Sequence, residues 1–157
     1  MCATRHRDEK WIFRGALKTI NNSGTNIYRE VKQGDHMAKI LVVDDSPTQR
    51  QWMIKVLQKY GHEVLTAENG DSAIVSALSD LPDLILMDVV MPGLNGFQAT
   101  RTITKHASTQ HIPVIMLTGK DQDTDKLWAQ RQGASDYIVK PAVESDLIGK
   151  IKSLLLS

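Results

Sequence analysis

Leu84-Ile85-Leu86-Met87-Asp88 is the stretch of sequence that decides the fold. Four apolar residues end in a carboxylate, and the turn residues Met91-Pro92-Gly93 follow shortly after. A short apolar run bounded by turn residues is typical of a strand buried on both faces, as in parallel sheets covered by helices. Asp88 would then lie at the carboxyl-terminal edge of the sheet, where open α/β folds bind ligands. An isolated Asp at a strand end is more often a solvated turn residue. A functional role for Asp88 therefore requires further evidence from the rest of the sequence.

Strand-like and helix-like segments alternate on both sides of this stretch. The pattern predicts further strands at residues 40–43, 63–67, 113–118 and 136–139, and helices at residues 47–60, 69–78, 95–106, 123–132 and 143–156. The first helix begins at a capping signal, with Ser46 as N-cap, Pro47 as first helical residue and Gln49 placed to complete a capping box. Gly96 is expected to weaken the start of the third helix. Five alternations predict an α/β fold, a parallel sheet with helices on both faces.

Composition and charge limit the classes of function. The 157 residues suffice for one ordinary domain with a single core. Residues 1–36 contain 7 Lys+Arg against 4 Asp+Glu and the remaining residues 12 against 14, so the body is mildly acidic and we expect no nucleic-acid partner. No apolar run approaches the roughly 20 residues that span a bilayer, so no membrane partner is expected. Cys2 is the one cysteine, which favours a cytoplasmic location.

The first 36 residues differ from the rest of the chain. They show no strong helical or strand period, and residues 21–26 form a polar loop signal. Met37 looks like a natural start, because a predicted strand follows it directly. We therefore expect residues 1–36 to be an N-terminal extension, largely disordered or loosely docked, that is either native upstream sequence or a remnant of an expression vector. Residues 37–157 are expected to be the folded domain.

Polar residues follow four of the five predicted strands. Asp44 and Asp45 follow the first strand, whereas Asp88, Thr118 and Lys140 lie at the ends of the third, fourth and fifth. Each has an ordinary explanation when taken alone, such as a cap, a good strand residue or a solvated lysine. The carboxyl ends of parallel strands meet at one edge of a sheet, so the joint pattern instead predicts a site there.

These residue types suit phosphoryl transfer. Three crowded carboxylates repel one another unless a cation lies among them, and their oxygen ligands suit Mg²⁺. A carboxylate can also act as a nucleophile and form an acyl phosphate. Phosphoryl transfer requires mainly positioning and neutralisation of charge, to which the Lys140 ammonium and the Thr118 hydroxyl could contribute.

With these motifs, residues 37–157 resemble the CheY-like receiver domain of bacterial two-component response regulators. The resemblance implies a flavodoxin-like (βα)5 doubly wound sheet of strand order 2-1-3-4-5. It also implies that Asp88 is the phospho-acceptor, with Lys140 and Thr118 as catalytic partners and Thr118 and Tyr137 as switch residues. Mg²⁺ would be bound by Asp45, Asp88 and the backbone carbonyl of Val90, with Asp44 acting mainly through water. A cis bond is expected between Lys140 and Pro141, since X–Pro bonds adopt it readily.

Longer stretches are similar to the single-domain regulators of type IV pilus twitching motility. They are residues 67–70, 87–101, 120–126 and 128–134. This similarity implies a CheA-like histidine kinase as phosphohistidine donor and a pilus motor or another output protein as partner. A chemotaxis-type regulator, or a phosphate sink without motor output, remains an alternative. In either case the protein would be a phospho-acceptor rather than an enzyme, although it could catalyse its own phosphorylation and dephosphorylation.

The resemblance implies that an output protein recognises the face formed by helix four, strand five and helix five. Trp128 and Tyr137 are expected to lie on or near this face. A DNA-binding regulator would need an output domain after Ser157, so we do not expect this class of function. Val90 and Lys120 take the positions that influence the lifetime of the phosphorylated state, and Val90 is expected to disfavour fast self-dephosphorylation. Val90 also argues against a haloacid-dehalogenase-type phosphatase, which has a second Asp there. A flavin-binding protein of this fold would have a glycine- and hydroxyl-rich loop in place of Asp44-Asp45.

Overall fold

The computed structural model describes residues 37–119 and 123–156, together with four short strands nearer the amino terminus. The chain divides into two compact units, Met1–His36 and Met37–Ser157. In the first unit, Thr4–Arg5 pairs with Trp11–Ile12 and Ala16–Ile20 pairs with Asn26–Glu30, both antiparallel. The sequence pattern did not predict these strands. We expected residues 1–36 to be largely disordered or loosely docked. Apart from these four strands, the residues concerned lie outside the described part of the chain.

The second unit is built on a five-stranded parallel sheet. Its strands are β1 (Lys39–Val43), β2 (Glu63–Ala67), β3 (Leu84–Asp88), β4 (Val114–Thr118) and β5 (Asp136–Val139). They are arranged in the order β2-β1-β3-β4-β5, and every neighbouring pair is parallel. This arrangement confirms the predicted flavodoxin-like fold. All five residues of β3 are buried, as its apolar run predicts.

Five helices cover the two faces of the sheet. They are α1 (Pro47–Lys59), α2 (Gly70–Asp80), α3 (Gly96–Lys105), α4 (Asp123–Arg131) and α5 (Glu144–Leu155), and their ends lie within two residues of those predicted. Alternate residues of each strand point to opposite faces. Thus Leu84 and Leu86 belong to the core beneath α1 and α5, whereas Ile85 and Met87 belong to the core beneath α2 and α3. Within the described residues, no helix has the length and apolar character needed to cross a membrane.

The start of α1 departs from the predicted capping box. Ser46 is the N-cap, and its hydroxyl accepts a hydrogen bond from the Gln49 backbone N–H at 3.4 Å. The Gln49 side chain does not return to the Ser46 backbone, however, because it accepts from Lys140 Nζ at 2.7 Å. The Ser46 N–H donates instead to Asp44 Oδ1, at 2.8 Å. The capping box prediction was therefore wrong for the Gln49 side chain, since the charged donor Lys140, which follows β5, competes for it.

Candidate functional site

The ends of β1, β3 and β5 bring four predicted site residues together at the carboxyl edge of the sheet. Asp44 is fully buried and Asp88 is 5% exposed, whereas Asp45 is exposed to solvent. Lys140 directly follows β5, and the Lys140–Pro141 peptide bond is cis, as the resemblance implied. The two buried carboxylates contact the Lys140 ammonium from neighbouring strands. The edge thus combines dense negative charge with one positive group.

The Lys140 ammonium lies among three acceptors. It donates to Asp88 Oδ1 at 2.9 Å, to Asp44 Oδ2 at 3.2 Å and to Gln49 Oε1 at 2.7 Å. An ammonium has three N–H donors, so these contacts match its full capacity. Hydrogen bonds from a charged donor to carboxylates are among the stronger ones in proteins. The structure therefore holds Nζ beside the Asp88 carboxylate.

Three donors hold Asp44 in place through hydrogen bonds. Its Oδ1 accepts from the Ser46 backbone N–H and its Oδ2 from Lys140. Its backbone carbonyl accepts from an Arg50 guanidinium nitrogen at 2.6 Å, and that guanidinium also pairs with Glu68 at 3.1 Å. Both carboxylate oxygens of Asp44 are thus engaged within the protein, and its position in the site is fixed.

Opposing effects act on the Asp88 carboxyl. Burial raises its pKa above the ordinary value, because the charged form loses its hydration. The hydrogen bond and charge of Lys140 lower the pKa, and the charges of Asp44 and Asp45 raise it again. The net direction is upward. The ionised carboxylate is therefore energetically costly in this pocket without a further cation.

The donor set fits a hard cation. Asp44, Asp45 and Asp88 each offer a carboxylate oxygen, and these three oxygens lie within 4.8 Å of one another. Oxygen-only ligands with one solvent-exposed member suit Mg²⁺, which retains several waters. The raised pKa of Asp88 points the same way, because a cation would relieve the repulsion among the carboxylates. Val90 lies two residues beyond β3 and is 77% exposed, so it contributes no buried side chain here.

Thr118 lies on β4 and Tyr137 on β5, and both contact residues of α4 or α5. Thr118 is buried at the end of β4, and its hydroxyl donates to Asp125 Oδ2 on α4 at 3.3 Å. The Tyr137 ring is half-buried, with Lys126 Nζ at 5.2 Å and Lys150 Nζ at 5.7 Å from its centre. These two predicted switch residues therefore connect the site edge to α4 and α5.

Gly96 is a residue whose role the sequence interpretation missed. A Cβ at this position would lie 2.0 Å from the Asp88 carbonyl oxygen, a distance that real contacts do not reach. The Gly96 N–H also donates to the Val89 carbonyl at 2.9 Å. The glycine allows α3 to start directly against the end of β3. Its helix-weakening character was visible in the sequence, but this close approach was not.

Other supporting residues were also missed. Gln49, Arg50 and Asp125 each make a hydrogen bond to one of the predicted site residues. Gln49 and Arg50 were hidden because they lie in the first turn of a helix, where polar residues are ordinary. Their sequence signal is only their closeness to Asp44-Asp45. Asp125 showed no such signal, because the fold alone brings α4 against the end of β4.

Comparison with known proteins places the chain in a family. Residues 40–152 match the model of the response regulator receiver domain. The chain is 56% identical over 119 residues to the protein PilH of Pseudomonas aeruginosa, covering 76% of this chain and 98% of PilH. It is also 39% identical over 117 residues to the response regulator PleD of Caulobacter vibrioides, covering 74% of this chain. Here the match spans only 26% of PleD.

Solved structures agree with this assignment. The chemotaxis protein CheY4 of Vibrio cholerae is 33% identical with a TM-score of 0.72, covering 76% of this chain and 99% of CheY4. The receiver domain of the sensor histidine kinase PA1611 of Pseudomonas aeruginosa is 30% identical with a TM-score of 0.73. The match covers 78% of this chain and all of that one, which holds a magnesium ion coordinated in its active site cleft. From its sequence and fold together, this chain belongs to the response regulator receiver domain family.

Proposed function

We propose that this protein accepts a phosphoryl group on Asp88 from the phosphohistidine of a histidine kinase, in a Mg²⁺-dependent reaction. One observation carries the proposal. The Asp88 carboxylate lies at the end of the central strand, between an acidic pair and a lysine ammonium 2.9 Å from its Oδ1. The same acidic pocket suits a cation, and the ammonium suits the charge of a phosphoryl group.

The covalent step exchanges one bond to phosphorus for another. An Asp88 carboxylate oxygen attacks the phosphorus and forms a P–O bond, while the P–N bond to the donor imidazole breaks. The electron pair goes to the imidazole nitrogen, which takes up a proton. Lys140 Nζ already donates to Asp88, so only a small displacement would bring it to a phosphoryl oxygen.

The metal ligands that we propose are Asp45, Asp88 and the Val90 backbone carbonyl, with Asp44 acting through water. The engagement of both Asp44 carboxylate oxygens by Ser46 and Lys140 supports that indirect role. A bound Mg²⁺ supplies charge neutralisation for the transferring phosphoryl group. The magnesium in the cleft of the PA1611 receiver domain supports the same choice of ion.

Signalling would proceed through the Thr118 hydroxyl. The phosphoryl group adds nearly two negative charges beside β4 and offers new acceptor oxygens to Thr118. Movement of Thr118 toward them would release its hydrogen bond to Asp125 and change the surroundings of Tyr137. The partner surface would be the face of α4, β5 and α5, where Leu127 is 47% and Trp128 48% exposed. Exposed apolar side chains of this size are common at recognition surfaces.

The biological setting that we propose is the control of type IV pilus twitching motility. The stretches that resemble twitching regulators, and the 56% identity to PilH over nearly its whole length, support this setting. In it the protein is a cytoplasmic phospho-acceptor rather than an enzyme, with a CheA-like histidine kinase as donor and a pilus motor or another output protein as partner. A chemotaxis-type regulator or phosphate sink is the second candidate, favoured by the similarity to CheY4. Val90 disfavours a haloacid-dehalogenase-type phosphatase.

We further propose that residues 37–157 are the receiver domain and that residues 1–36 are an extension to it. The division of the chain into two compact units at His36 supports this boundary. The family match supports it as well, because it begins at residue 40.

The experiment is incubation with acetyl phosphate and Mg²⁺, followed by intact-mass measurement. Wild type is expected to gain one phosphoryl group, and Asp88→Ala none. Asp80→Ala removes an exposed aspartate at the end of α2 and serves as the matched control, which should gain the group as wild type does. Absence of an adduct on folded wild type in Mg²⁺, or an adduct that persists in Asp88→Ala, would overturn the proposal.

A further inference from the structure

Two glutamines occupy the same position in two helices but make different contacts. Gln98 is the third residue of α3 and completes a capping box, its Oε1 accepting from the Asn95 backbone N–H at 3.1 Å. Gln49 is the third residue of α1, after the N-cap Ser46. Its Oε1 instead accepts from Lys140 Nζ at 2.7 Å, the shortest of the three ammonium contacts. Gln49 therefore gives up the capping role that its position favours.

The contact closes a ring of hydrogen bonds at the site edge. Lys140 donates to Gln49 and to Asp44, the Gln49 N–H donates to Ser46 Oγ, and the Ser46 N–H donates to Asp44 Oδ1. The ring links the loop before α1 to the residue after β5. An ammonium only donates hydrogen bonds, so the carboxamide oxygen, and not its nitrogen, must face Lys140. The side chain of Gln49 thus has one defined orientation.

We propose that Gln49 is a positioning residue for Lys140 during phosphoryl transfer to Asp88, an inference that rests on the proposed function. Asp44 and Asp88 both attract the ammonium toward the buried carboxylates. Gln49 is the one neutral acceptor of the three, and it reaches Lys140 from the first turn of α1. Gln49 keeps Nζ at the edge of the pocket. From there the ammonium can move to a phosphoryl oxygen while it keeps its hydrogen bond to Gln49.

The contact lies beside a cavity, although Gln49 itself is exposed to solvent. Lys140 and Gln49 line a cavity of about 380 Å³ whose other lining residues are mostly apolar: Thr48, Trp52, Met53, Leu117, Pro141 and Ala142. Apolar side chains offer no hydrogen-bond acceptor, so these lining residues cannot replace the Gln49 oxygen as a partner of Lys140.

The test compares Gln49→Met with wild type at saturating acetyl phosphate and Mg²⁺. Methionine matches the shape of glutamine but lacks the acceptor, so we expect phosphorylation about tenfold slower, the effect of losing one hydrogen bond to a charged group. Gln98→Met is the matched control, since it removes the same atoms from the same helical position, and it should keep the wild-type rate. In a Lys140→Met background, Gln49→Met should have no further effect on the rate.

A second measurement does not depend on phosphorylation. The Lys140 ammonium should give a restrained NMR signal in unphosphorylated wild type and a more mobile one in Gln49→Met. A mobile Lys140 with unchanged phosphorylation rate, or an equal slowing in the wild-type and Lys140→Met backgrounds, would overturn the positioning role. Absence of any phosphoryl uptake by wild type would contradict the proposed function instead, and the NMR comparison would still decide whether Gln49 restrains Lys140.

Discussion

At the scale of single residues, the chemistry of the site depends on the balance of charge at Asp88. Burial is the largest single effect on this carboxyl, and together with the charges of Asp44 and Asp45 it raises the pKa despite a hydrogen bond from an ammonium at 2.9 Å. A raised folded-state pKa means that the folded protein binds a proton at Asp88 more tightly than the unfolded chain does. The ionised carboxylate therefore lowers the stability of the metal-free protein. This cost is a property expected of a site built for a cation.

Asp88→Asn should therefore stabilise the metal-free protein at neutral pH. The gain should shrink as the pH falls from the folded pKa toward the ordinary value of 3.8, because the folded state then binds a proton that the unfolded chain does not. Below 3.8, Asp88 is protonated in both states and the gain should vanish. Urea denaturation of both proteins across this pH range, with a metal chelator present, provides the measurement. Added Mg²⁺ should stabilise wild type more than the variant. A variant less stable than wild type at neutral pH would contradict this description of the pocket.

The two glycines Gly96 and Gly149 offer a matched comparison. A Cβ at Gly96 would lie 2.0 Å from the Asp88 carbonyl, whereas one at Gly149 in α5 would meet nothing within 4 Å. Gly149→Ala should therefore stabilise the protein by about 0.5–1 kcal/mol, through helix propensity alone. Gly96→Ala should lower stability and slow phosphorylation, because α3 must move away from the end of β3. Chemical denaturation measures both effects, and equal effects of the two substitutions would refute the close approach.

Val90 is expected to set the lifetime of the phosphorylated protein. It lies two residues beyond Asp88, is 77% exposed and has no polar group with which to orient an attacking water. Val90→Asn supplies such a group and should speed the loss of phosphate from the purified phosphoprotein several-fold. Val75→Asn, at an apolar residue of α2 that is 65% exposed, is the control for exchanging an exposed valine. An unchanged or slower decay in Val90→Asn would count against this role.

At the scale of elements, strands were easier to predict than helix starts. The uninterrupted apolar run of β3 specifies burial on both faces, and the structure buries all of its residues. Four of the five strand ends then placed a polar site residue at the same edge, because parallel strands share one direction. The start of α1 was harder, because Gln49 responds to Lys140, which is distant in sequence. A local capping pattern carries no information about such a partner.

The hydrogen bond from Thr118 to Asp125 links β4 to α4 in the unphosphorylated protein. Asp125→Ala removes this acceptor and should loosen α4, because a bond that belongs to the unphosphorylated state is lost. Amide hydrogen exchange of α4 should become faster and resemble that of phosphorylated wild type. Asp146→Ala, at an exposed position in the first turn of α5, serves as the control. If amide exchange in α4 does not change in Asp125→Ala, Asp125 has no part in the proposed phosphorylation-dependent change at Thr118.

At the scale of the whole molecule, the alternation of strands and helices was enough to predict a layered α/β fold. The strand order 2-1-3-4-5 followed from the family resemblance, and the structure has that order. The short antiparallel pairs before residue 37 escaped prediction, because that part of the sequence shows no strand period. The supporting residues Gln49, Arg50 and Asp125 were not predicted, for a different reason. Their roles depend on contacts between elements that only the assembled sheet brings together.

The proposed function requires phosphoryl transfer to one aspartate among three that lie together. The most direct measurement is to phosphorylate the full chain with acetyl phosphate and Mg²⁺, reduce the acyl phosphate with borohydride and locate the modified residue by peptide mass spectrometry. We expect modification at Asp88 alone, and only when Mg²⁺ is present. Modification at Asp44 or Asp45, or uptake that persists fully after chelation of the metal, would contradict it.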